Sequence, residues 1–93
     1  MIEEENLEIE EFLSSKTRIK ILRVLYNLGE LNIRRICQKI GSAHPIVKKN
    51  LGLMEEMGLV KCKQYGKVKL YSLNDNNPKV KALTNLFEAW QTK

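Results

Sequence analysis

The residues of this sequence whose types and spacing could do chemistry are its cations. Lys48 and Lys49 follow His44 and Pro45, and Lys61, Lys63, Tyr65, Lys67 and Lys69 occupy every second position of one short stretch. Arg34, Arg35 and Lys39 form a third group. Ammonium and guanidinium groups at such spacings meet phosphate oxygens and base edges, the phosphate contacts positioning a protein and the base contacts specifying a sequence. Between Phe12 and Lys69 there are 13 Lys or Arg against three acids, Glu30, Glu55 and Glu56, a net charge of +10. That density fits a polyanionic partner.

Other chemistries find little support. His44 is the single histidine and has no Ser, Asp or Glu in its turn to act with. There is no phosphate-cradling glycine loop and no nucleophile constellation, so no catalytic residue and no enzyme activity are expected. Two cysteines, Cys37 and Cys62, are too few for a disulfide-rich scaffold and too far apart for a paired-thiolate metal knuckle. They read as reduced, small apolar core residues, with a thiol switch as the alternative.

The 93 residues accommodate one domain, 1–93. No stretch approaches the ~18 consecutive apolar residues of a membrane span. Six Glu and no cation fall in the first eleven residues, where a signal peptide or a membrane-surface helix would be basic. A cytoplasmic location and no membrane partner are expected.

The elements that must position the cations follow from periodicity. Residues 3–14 read as a helix with Ile2, Ile9, Phe12 and Leu13 near one stripe and glutamates at its amino end. Ser15 can cap a second helix, Lys16 to Leu28, in which Ile21, Leu22, Leu25 and Leu28 recur at helical spacing and Gly29 supplies the stop. After the extended Leu31-Asn32, Ile33, Ile36, Cys37 and Ile40 fall on one face of a two-turn helix, with Arg34, Arg35 and Lys39 on the other. Gly41-Ser42 interrupts the pattern, and Val47, Leu51 and Met54 resume it up to Gly58. Two short helices about a glycine-containing turn make a helix-turn-helix.

Beyond Gly58 the period changes to two. Val60 and Cys62 alternate with lysines, Tyr65-Gly66-Lys67 turns the chain, and Val68 to Leu73 returns, a hairpin with lysines on its outer face. Asn77-Pro78 then opens a last helix, 78–91, with Val80, Leu83, Leu86, Phe87 and Trp90 apolar. The expected fold is mainly α with a small antiparallel β-hairpin, a winged helix-turn-helix.

Ser15-Lys16-Thr17-Arg18-Ile19-Lys20-Ile21-Leu22, Gly41, Val47 and Leu51, Glu56-Met57-Gly58-Leu59-Val60, Gly66 and Tyr71-Ser72-Leu73-Asn74 resemble the ArsR-type winged helix-turn-helix regulators over roughly residues 12–74. The resemblance implies a dimeric repressor that binds duplex DNA. It also implies that the terminal helices, 3–14 and 78–91, form the dimer interface. Independently, Ile9, Phe12, Leu13, Leu83, Phe87 and Trp90 offer more apolar surface than so small a core needs. Members of the family often hold a sensed metal on a Cys-x-Cys pair or on Asp and His of the last helix. This chain has only Cys37 at the first place and neither residue at the second, so no metal and no cofactor are expected.

With Val47, Leu51 and Met54 turned inward, His44, Pro45, Lys48 and Lys49 face a DNA major groove, along with Gly52. Lys61, Lys63, Tyr65, Lys67 and Lys69 of the wing border the minor groove, and Arg34 and Arg35 meet the phosphate backbone. No Arg or Gln opens the fourth helix, so sequence discrimination should be modest. Asn50 would read adenine only if that helix were rotated. Arg18, at a position where the resembling family repeats an Arg, is either exposed or structural. The alternatives are a winged helix that docks protein or structured RNA, and a thiol-gated regulator using Cys37 and Cys62.

Overall fold

The computed structural model describes residues 7–92. Helix α1 (Ile9–Leu13) is shorter than expected: Leu7 and Glu8 lie outside it, Glu8 being extended at the N-cap, and residues 3–6 fall outside the described part. Leu7 and Phe12 occupy the two positions of a hydrophobic staple and line one cleft together, which fixes where the helix can start. Helix α2 (Lys16–Leu28) begins where Ser15 accepts a hydrogen bond from the Arg18 amide at 3.2 Å and ends at Gly29. Its Ile21, Leu22 and Leu25 are buried, whereas Leu28, placed on the same stripe by periodicity, is half exposed at the helix end.

Helix α3 (Ile33–Ile40) starts with Asn32 accepting from the Arg35 amide at 2.8 Å. Gly41 closes it with φ +70°, the left-handed conformation that an L side chain resists, and its amide returns to the Cys37 carbonyl. Helix α4 (His44–Glu56) follows with Pro45 in its first turn, where a missing amide hydrogen costs nothing. Val47, Leu51 and Met54 of α4 are buried with Ile36 of α3, so the two helices share one core.

Strands β1 (Val60–Tyr65) and β2 (Val68–Leu73) pair antiparallel from Val60 opposite Leu73 to Tyr65 opposite Val68. The turn is therefore the two residues Gly66-Lys67, and Tyr65 ends a strand instead of forming part of the turn. Leu31 adds a single bridge on the other edge of β2, exchanging two hydrogen bonds with Tyr71 at 3.0 and 2.8 Å. Helix α5 (Pro78–Gln91) opens on Asn77, whose side chain accepts from the Lys79 amide at 2.8 Å.

The core comprises Phe12, Ile21, Leu22, Leu25, Ile36, Val47, Leu51, Met54, Leu59, Val60, Leu73, Val80 and Phe87. Every element contributes at least one side chain to it. Gly58 makes the exit from α4 possible: its φ is +78°, and its carbonyl receives the side-chain amides of Asn74 at 2.9 Å and Asn77 at 3.0 Å. One carbonyl thus joins the end of α4, the end of β2 and the start of α5.

Candidate nucleic-acid interface

The cationic half of α4 is turned away from the core because its apolar positions repeat at four and three residues. Val47, Leu51 and Met54 are essentially inaccessible, while His44, Pro45, Lys48, Lys49 and Gly52 are exposed. Ile46 is exposed as well, at 51%, and belongs to the same surface. Sequence reasoning passed over it, although a helical wheel puts it about 100° from Val47 and off the buried stripe. Its apolar side chain is of the kind that contacts a thymine methyl.

Asn50 is not available for reading a base. Its Oδ1 accepts from Nη1 of Arg18 at 3.1 Å, and its Nδ2 donates to the Ile46 carbonyl at 2.9 Å. Arg18 in turn donates from Nε to the Phe12 carbonyl at 3.2 Å and from Nη2 to the Glu11 carbonyl at 2.9 Å, with its guanidinium carbon 5.4 Å from the Phe12 ring centroid. The arginine therefore satisfies the last carbonyls of α1 and ties that helix to α4.

On the hairpin the register divides the cations. Lys61, Lys63 and Tyr65 share a face with Val68, Leu70 and Ser72, whereas Lys69 lies opposite Gln64 on the face of Cys62 and Tyr71. The expectation that all of these lysines occupy one outer face is corrected accordingly, with Lys67 in the turn. All four lysines and Tyr65 are exposed. Strand β1 packs on α4, so the ribbon rises beside the helix that carries Lys48 and Lys49. Arg34, Arg35 and Lys39 are exposed on α3.

The cysteines are half-buried, not core residues. Cys37 packs on the edge of the core. Cys62 sits across from Tyr71, where burial first and then the neighbouring thiol, with a smaller contribution from Glu55, push the Tyr71 phenol above its ordinary value of 10.0. Among the described residues no three His, Cys, Asp or Glu side chains come together as a metal centre would need.

Of the apolar residues expected at a subunit contact, Phe12 and Phe87 belong instead to the chain's own core, at 6% and 7% exposure, and Phe87 packs on Tyr26 with ring centroids 5.8 Å apart. Leu83 is half-buried at the core edge. Ile9, Leu13 and Trp90 are exposed, Trp90 at 80%, joined by Leu86. No described helix is long and apolar enough to cross a membrane.

No family model matches the chain. Among known proteins, it is 29% identical over 85 residues to the arsenical resistance operon repressor of Escherichia coli (strain K12), covering 91% of this chain and 72% of the relative. It is 36% identical over 67 residues to the cadmium resistance transcriptional regulatory protein CadC homolog of Staphylococcus aureus, covering 72% of this chain and 55% of the relative, so it spans just over half of that protein's length. Its fold is that of the homodimeric winged helix-turn-helix DNA-binding domain of Mb0332 from Mycobacterium bovis, with a TM-score of 0.69, 23% identity and coverage of 87% and 72% of the two chains. Of these two sequence relatives, one is an operon repressor and the other a transcriptional regulatory protein. In its fold, its sequence relatives and its turn glycines, the chain is similar to the ArsR-type winged helix-turn-helix regulators.

Proposed function

We propose that the chain binds duplex DNA as a homodimeric transcriptional repressor, with α4 in the major groove and the β1–β2 ribbon along the adjacent minor groove. The observation that carries this reading is the division of α4, whose apolar residues are buried while Lys48 and Lys49 are exposed beside a ribbon bearing Lys61, Lys63, Lys67 and Lys69. Lysine on a helix in the major groove donates to guanine or to phosphate, and ribbon lysines add phosphate contacts. Arg34 and Arg35 extend the cationic surface on α3. The exposed Ile9, Leu13, Leu86 and Trp90 supply an apolar face for a second copy, and two-fold pairing would place the two α4 helices about 34 Å apart, one turn of DNA.

The test is selection of bound duplexes from a random pool, followed by anisotropy titration at several salt concentrations. Affinity should fall steeply with salt, by a slope of about 0.9 per neutralised phosphate. Lys48→Ala with Lys49→Ala should weaken binding at least tenfold, and added Cd2+, Zn2+ or arsenite should leave it unchanged. Salt-independent binding, or an unaltered affinity in the double variant, overturns the reading.

A further inference from the structure

Gly52 sits inside the 13-residue α4, where glycine weakens a helix relative to alanine, and nothing in the protomer requires it. It is not among the glycines of positive φ, and a Cβ built on it meets nothing within 4 Å. It is also exposed, so neither backbone conformation nor internal packing accounts for the missing side chain.

The charges on either side of it change sign. Lys48 and Lys49 precede it by one turn, and Glu55 and Glu56 follow it by one turn, all four exposed. Phosphates attract the first pair and repel the second, so only the amino-terminal part of α4 suits the interior of a groove. From His44 to Gly52 the helix rises about 12 Å at 1.5 Å per residue, matching a major-groove width of about 12 Å.

We infer that Gly52 is the point at which a DNA sugar–phosphate strand crosses α4 in direct contact with the helix backbone, and that its missing side chain sets how deeply the amino-terminal half of the helix enters the groove. Resting on the DNA-binding reading above, it assigns Gly52 a positioning role that no side-chain contact could reveal. Glu55 and Glu56 then lie beyond the strand, outside the groove.

The experiment compares Gly52→Ala, Gly52→Gln and Glu56→Gln with the unaltered protein on duplexes that the unaltered protein selects from a random pool, alongside thermal unfolding of each. Gly52→Ala should raise the unfolding midpoint yet weaken duplex binding about five- to tenfold. Gly52→Gln, also a good helix former, should weaken it further, and Glu56→Gln should leave it unchanged or tighten it. Undiminished affinity in both Gly52 variants, with the unaltered protein binding, overturns the inference alone. Failure of the unaltered protein to select or bind any duplex overturns the DNA-binding reading, and the inference with it.

Discussion

Arg18 does more for this molecule than its place on a surface helix suggests. It links two backbone carbonyls of α1 to Asn50 of α4, three charge-assisted hydrogen bonds at 2.9 to 3.2 Å. Replacing it by alanine should cost about 2 kcal/mol, read as a lower urea midpoint. Lysine should not restore it, because one ammonium group cannot reproduce a planar fork reaching three acceptors. That Arg18 matters was legible from the resemblance, but its partner was not. Asn50 is 32 positions away, and only the angle between α2 and α4 brings the two together. Tyr71 gives a second residue-level test. Its phenol is raised by burial and by Cys62, so the neutral form stabilises the fold; that stability is complete below pH 10 and is lost as pH rises through the folded value. Tyr71→Phe should therefore show a shallower loss of stability above pH 10 than the unaltered protein, measured by unfolding midpoints across that range.

At the scale of elements, α2, α3 and α5 were readable to within a residue, and α4 ends two residues before the Gly58 expected to close it; each combines an apolar stripe with a Ser, Asn or Pro at its start and, for three of them, a glycine at or just past its end. Gly41→Ala and Gly58→Ala should each destabilise the protein by about 1 kcal/mol, a difference measurable by denaturant titration, since both positions are left-handed. The readings that failed have physical causes. Counting alternate residues through Lys61, Lys63, Tyr65, Lys67 and Lys69 assigns them one face, but a two-residue turn pairs Tyr65 with Val68 and moves Lys69 to the opposite face. The Leu31 bridge was invisible because a single pairing leaves no period. For α1 the sequence marked Phe12 as buried, but Ile9 and Leu13 of the same expected stripe are exposed, and the helix starts later than expected, after Leu7, which lines a cleft with Phe12 from outside it.

For the whole molecule, the distribution of charge was legible, and the division of the apolar residues between core and surface was not. Phe12, Phe87 and Trp90 are equivalent aromatic residues in a list, yet the first two are buried and the third is 80% exposed, a difference fixed by which side of α1 and α5 meets α2. Trp90→Glu should accordingly leave the helical content unchanged while converting a dimer to monomers in sedimentation velocity, and should reduce affinity for a two-half-site duplex far more than for a single half-site. A dimer that persists in this variant would remove Trp90 from the subunit contact.

The carbonyl of Gly58, shared by the amides of Asn74 and Asn77, fastens the helix that would meet DNA to the helix that would meet the second subunit. In a paired molecule this joint fixes the angle at which each reading head leans from the two-fold axis. On the proposed dimer, operator spacing should then respond to substitution of Asn74 or Asn77.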